Sequence, residues 1–340
     1  MIFHHAILAI LLVGAAALAG LAAATPHAVA VLRHWDTASG SARQLRLERR
    51  TTLVSAAVAL MLAAQVAALL LFVFNADRMA TMFVGAMCAV GTLQANAWGF
   101  PALYAQIAVF FLGSAWLTLN AVDARAPDYP LTRAKHGLLL CIVPLLAVSF
   151  ALQLAYFLGL RADVITSCCG SLFSAAATTV TGELAGALTR WSPQSAIPSF
   201  FAGMAAVVAL AAIVARQGRG GLLLGLTGVG ALVLSLAAIV SFVSLYIYED
   251  PRHHCPFCIL KAEYSYQGYA LYVPLFAASA ATVGALALAP FSRRPDLRAR
   301  VARATRTLAA VAGTLFLVFT LVVAWMIAKS GLILIGNAVR

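Results

Sequence analysis

Long apolar runs alternate with short polar loops along the whole chain. Eight runs, at about 6–32, 51–74, 101–122, 137–160, 196–215, 221–247, 268–290 and 308–334, are each near or above the ~20 residues a helix needs to cross a bilayer. They predict an all-α polytopic membrane protein with about eight transmembrane helices. Residues 1–340 form a single transmembrane helical domain in this reading, with no soluble domain. The first run, "MIFHHAILAILLVGAAALAGLAAATPHA", resembles a secretory signal. It lacks a basic start and its apolar stretch is long, so it reads as the first spanning helix.

The segment 79–99 departs from this rhythm. If it crossed the bilayer, every later loop would change sides. Gly85, Gly91, Gly99 and Pro101 interrupt it, so it is expected to be re-entrant or interfacial, entering and leaving on one face.

Composition agrees with the pattern: 63% of residues are hydrophobic and 10% charged, too little polar surface for a soluble domain. The net charge of +12 would suggest nucleic acid, but its distribution removes that reading. The loops 33–50, 123–136, 216–221 and 291–306 carry 16 of the 23 Lys and Arg. Seven basic and six acidic residues are left for the opposite face. This is the positive-inside bias of an inner-membrane protein. It puts both termini on the outer side, the periplasm in a bacterium. The chain has three lysines and no GxxxxGK[ST] motif, so nucleotide is not an expected partner either.

Two cysteine pairs fall in outward loops, where disulfides persist: "SCCGS" (Cys168, Cys169) and "RHHCPFCILKAEY" (Cys255, Cys258). Pro256 suits the first position of a helix, which would make Cys255 its N-cap and put Cys258 one turn later on the same face. The dipole would then favour a Cys255 thiolate, making it the attacking thiol and Cys258 the resolving one. Tyr264, Tyr266, Tyr269 and Tyr272 follow at the expected water–lipid boundary. They read as an aromatic belt, with Tyr264 and Tyr269 as candidate walls of a quinone pocket. Covalent c-type haem is not expected, because Ile259 stands where CxxCH needs histidine.

A CPxC at the outer end of a spanning helix, with a second cysteine pair on another external loop, resembles the DsbB and vitamin K epoxide reductase group of membrane thiol oxidoreductases. The resemblance covers about 249–272 and the double cysteine. It implies that Cys255 and Cys258 are a quinone-side pair. It likewise implies that Cys168 and Cys169 are a shuttle pair serving a periplasmic thioredoxin-like protein.

The same residues allow a rival chemistry. His253, His254, Cys255 and Cys258 form a dense set of soft or borderline ligands. The 79–99 segment adds Met82, Met87 and Cys88, with Met79, Met82 and Met87 expected near one helical face. Thiolate, thioether and imidazole together suit copper as Cu(I), and thiolate with imidazole suits zinc. That reading makes the chain a membrane protein for binding or passing a soft metal, with a metallochaperone as partner. A third reading is an integral-membrane subunit of a larger complex with structural disulfides.

Overall fold

The structure is a computed structural model and describes residues 4–37, 39–126, 128–161, 188 and 190–334. Cys168 and Cys169 lie outside the described residues. The protein is 82% helical without strands among the described residues, so the all-α class holds. Eight helices there are long and apolar enough to cross a membrane. In chain order the elements are α1 (His5–His34), α2 (Ala42–Arg78), α3 (Ala89–Leu93), α4 (Gly99–Asp123), α5 (Thr132–Leu158), α6 (Pro193–Gln217), α7 (Gly221–Ala238), α8 (Ser244–Tyr248), α9 (Gln267–Leu288) and α10 (Arg298–Lys329). A π turn, Ile239–Val243, joins α7 to α8 and makes them one span.

No span falls between residues 83 and 98 among the described residues. After α2 a 3₁₀ turn, Met79–Met82, ends at Phe83, which is extended. Gly85 then takes a left-handed φ of 91°, a conformation that glycine adopts without a Cβ penalty. The helical face expected to carry Met79, Met82 and Met87 is therefore broken: Met79 is buried, whereas Met82 and Met87 are exposed. Asn96 locks the loop. Its amide donates to the Tyr156 carbonyl at 2.9 Å, and its carbonyl oxygen accepts from the Trp98 N–H at 3.0 Å.

The chain divides into two compact units. The first comprises Met1–Asn75, Leu93–Arg161 and Ala287–Ala304. Its core gathers Leu21, Leu62, Trp116, Ile142 and Leu146 from α1, α2, α4 and α5. A buried ion pair closes the α4–α5 connection. The Asp123 carboxylate accepts from Lys135 Nζ at 2.9 Å, and from the Leu131 N–H and Thr132 hydroxyl at 2.7 Å each. Lys135 also donates to Asn120 at 2.9 Å. These partners satisfy charges that would otherwise be costly to bury.

The second unit comprises Ala76–Thr92, Ala162–Leu286 and Thr305–Arg340. Phe200, Phe242 and Phe319 pack edge-to-face at its centre, with Phe316 alongside. On its other side α7 presses onto α9. A Cβ on Gly228 would lie 2.2 Å from Thr282 Oγ1, and one on Gly225 would lie 2.5 Å from Leu286 Cβ. Small residues let two membrane helices approach this closely, where dispersion contacts rather than water exclusion hold them. Within each unit the outward faces remain apolar, with Leu12, Leu53, Leu60 and Leu321 among the exposed leucines. Lipid is the solvent such a surface suits.

The glycine seam yields a direct expectation. Gly228→Val should lower the unfolding temperature in detergent, at a cost of about 1–3 kcal/mol for overpacking. Thr282→Ala should restore part of the loss. Equal thermal stability of Gly228→Val and the unaltered protein would show that α7 and α9 do not depend on this contact.

Candidate functional site

Three cysteines of the second unit converge. Cys88, Cys255 and Cys258 have sulfurs within 4.8 Å of one another, and all three are buried, at 0%, 0% and 4% exposure. Cys88 Sγ stands 3.5 Å from Cys255 Sγ although 167 residues separate them. None of the described cysteines is in a disulfide. Cys141 is exposed and apart from the trio.

Cys88 is delivered by the turn after Gly85. Its carbonyl accepts the Gly91 N–H at 3.0 Å, opening the short helix α3. The other two thiols come from the loop between α8 and α9, and this loop is not the expected helix. Cys255 is not an N-cap; a turn at Pro256–Phe257 leads into a 3₁₀ turn, Cys258–Leu260. The carbonyls are paired differently from those of an α-helix. An α-helix would spend the Cys255 and Pro256 C=O groups on backbone N–H donors four residues on. Here the Tyr248 hydroxyl donates to the Cys255 carbonyl, and the Tyr272 hydroxyl donates to that of Pro256 at 2.8 Å. The backbone bonds run instead from Leu260 N–H to Phe257 and from Lys261 N–H to Cys258. Ser265 and Tyr266, both left-handed at φ near 54° and 55°, turn the chain into α9.

Both histidines are committed elsewhere than the sulfurs. His254 Nδ1 pairs with the Val240 carbonyl at 2.9 Å. Val240 lies in the π turn, where the wider helical ring disturbs the usual pairing of carbonyls. The His253 ring stacks on Tyr248 with centroids 4.0 Å apart. The expected ligand set of His253, His254, Cys255, Cys258, Met82, Met87 and Cys88 thus separates. Three thiols meet, the imidazoles brace the loop, and Met82 and Met87 stand exposed at 45% and 68%.

The tyrosines separate as well. Tyr264 packs edge-to-face on Tyr248 at 4.7 Å and forms part of the wall beside the loop. Tyr269 lies instead near Tyr266, with ring centroids 6.3 Å apart, and feels the charge of Asp77. Tyr248 and Tyr272 hold the cysteine loop most directly. Tyr248 gave no signal in the sequence because it reads as the end of a span, and Tyr272 reads as a belt residue.

Outside the spans, Lys261 bridges to Glu263 at 3.2 Å. Burial works against its ammonium charge. The Glu263 hydrogen bond and charge, with Asp77 and Cys258 beyond, outweigh that and hold its pKa above the ordinary value. Burial, followed by the charge of Cys258, raises the Tyr264 phenol. Lys261 is therefore a standing cation near Cys258.

Comparison with models of protein families, with curated proteins and with solved structures returned no match.

The carbonyl clamp can be tested through thiol access. Tyr248→Phe leaves the Cys255 carbonyl without its donor, at about 1 kcal/mol or more. The loop should open more often, so maleimide labelling of Cys255 and Cys258 should speed up roughly fivefold. Unchanged labelling would mean that the hydroxyl does not hold the loop shut.

Proposed function

We propose that the protein is a membrane protein that binds a soft metal ion at the thiols of Cys88, Cys255 and Cys258, for uptake or transfer. The convergence of three buried sulfurs from two distant segments carries this reading. Metal–thiolate bonds of about 2.3 Å set sulfurs about 3.8 Å apart around a tetrahedral ion and about 4.0 Å apart around a trigonal one. The 3.5 Å contact and the 4.8 Å limit of the trio bracket those spacings. Thiolates select Cu(I) and Zn(II) over hard cations. Lys261 offsets part of the negative charge that three thiolates bring, and the Tyr248 and Tyr272 hydroxyls fix the loop from which two of them project. With three thiols in the group, a coordination position stays open for an ion to arrive or leave. The charge pattern of the loops favours the periplasmic face of a bacterial inner membrane for this centre and for both termini. A periplasmic metallochaperone is the partner such a site would serve.

The 3.5 Å approach of Cys88 to Cys255 also favours a second reading, thiol–disulfide chemistry of the kind the CPxC resemblance implies. Two thiols there would give up two electrons and two protons to a quinone and form a disulfide, with Cys168 and Cys169 relaying to a thioredoxin-like protein. Burial of all three sulfurs weighs against direct exchange with a protein, which requires a thiolate that the partner reaches.

The two readings part on one sample. Protein purified in detergent should hold about one copper or zinc ion per chain, lost in Cys255→Ser and Cys88→Ser, with thiols protected from maleimide until the metal is chelated. A metal-free protein in which two of the three thiols are oxidised, and are recovered by mild reductant, would overturn the metal reading and leave the redox one standing.

A further inference from the structure

Six methionines lie in the described residues, and they are not alike. Met79, Met204 and Met326 are buried, and Met61 packs against Gly20. Met82 and Met87 are the two exposed thioethers among them, and both belong to the segment that ends at Cys88. The 3₁₀ turn stops at Met82, the buried Phe83 anchors the chain, and Gly85 turns it. The Ala86 N–H donates to the Phe83 carbonyl at 3.3 Å and closes the turn. From Met87 to Cys88, exposure falls from 68% to 0% in a single residue. Neighbouring Cα atoms are only about 3.8 Å apart, so the surface thioether and the buried thiol belong to one backbone step. Cys255 Sγ lies 3.5 Å from Cys88 Sγ.

We propose that Met82 and Met87 are loading ligands that capture Cu(I) at the surface and pass it through Cys88 to the three-thiol centre. This rests on the soft-metal reading above and names its cargo. A thioether is neutral and soft, so it binds Cu(I) well and contributes little to Zn(II), which takes imidazole, carboxylate or thiolate. The segment therefore favours the monovalent ion at the point of capture. The direction of transfer follows from ligand strength, because a thiolate holds Cu(I) more tightly than a thioether does. The copper–thioether bonds to Met82 and Met87 break as copper–thiolate bonds to Cys88 and then Cys255 form, and Cys258 completes a three-coordinate ion. Each thiol proton leaves to water, and the oxidation state of the copper does not change. Leucine at positions 82 and 87 would keep the apolar volume and remove the sulfur.

The test is kinetic. The full chain in detergent is mixed with Cu(I) held by a weak colorimetric chelator, and thiolate-to-copper absorption is followed in stopped flow. Cd(II), which reaches the same thiolates without needing thioether, serves as the comparison ion. The Met82→Leu/Met87→Leu variant should fill roughly tenfold more slowly with Cu(I). Its final stoichiometry and its Cd(II) rate should match those of the unaltered protein. Equal Cu(I) rates would overturn the loading role while leaving the metal centre in place. Equal slowing of Cu(I) and Cd(II) would also overturn it, since that marks a deformed centre and not a lost ligand. If the unaltered protein binds no Cu(I) at its thiols, this inference falls together with the reading it rests on.

Discussion

The candidate site depends on how closely α7 and α9 approach. Gly225 and Gly228 contribute no side chain of their own, so Thr282 and Leu286 of α9 pack directly against the α7 backbone. Tyr248 follows from one helix of that pair and Tyr272 projects from the other. Their hydroxyls take the carbonyls of two successive residues, Cys255 and Pro256. A wider gap would leave one of those carbonyls without its donor, in a setting where an unpaired polar group is expensive. The conformation of the cysteine loop is thus set several turns away, by residues that have no chemistry of their own.

Three buried thiols pose an electrostatic question that the neighbouring residues partly answer. As neutral thiols they pack like small hydrophobic side chains. As thiolates they need compensation, which a metal ion supplies directly and Lys261 supplies in part. A disulfide would also be neutral, which is why the sulfur geometry alone accommodates either chemistry. Burial bars direct contact with a protein partner, whereas a small ion would still reach the sulfurs. Both histidines brace the loop, so the charge of the centre rests with its sulfurs.

The fold was legible in the sequence because the bilayer imposes a length on every helix. The predicted run 221–247 meets the observed Gly221–Tyr248 span, and the predicted 196–215 lies within Pro193–Gln217. The ends were less legible where helices continue past their apolar part. Helix α2 begins at Ala42 rather than 51 because its basic first turns still bury Gln44 and Leu47. At the site, Cys255 and Cys258 stood out by their spacing. Cys88 could be named only as one soft ligand among several, since its meeting with Cys255 spans 167 residues and belongs to tertiary structure. At Pro256 local preference favoured a helix, but a turn there leads into the 3₁₀ turn Cys258–Leu260, with the Cys255 and Pro256 carbonyls accepting from the Tyr248 and Tyr272 hydroxyls.

The π turn at Ile239–Val243 gives the span Gly221–Tyr248 two azimuths rather than one. An α-helix advances about 100° per residue, so the extra residue in a π turn shifts every later side chain by about that angle. Before the turn, the helix shows its glycines to α9. After it, Tyr248 is aimed at the cysteine loop, and the carbonyl of Val240 becomes the rest for His254. Removing one residue from this stretch would keep the span apolar and long enough to cross, so hydropathy would not register the change. It would nonetheless point the clamp at the wrong neighbour. One extra residue in the turn thus separates the phase that packs the bundle from the phase that holds the sulfurs.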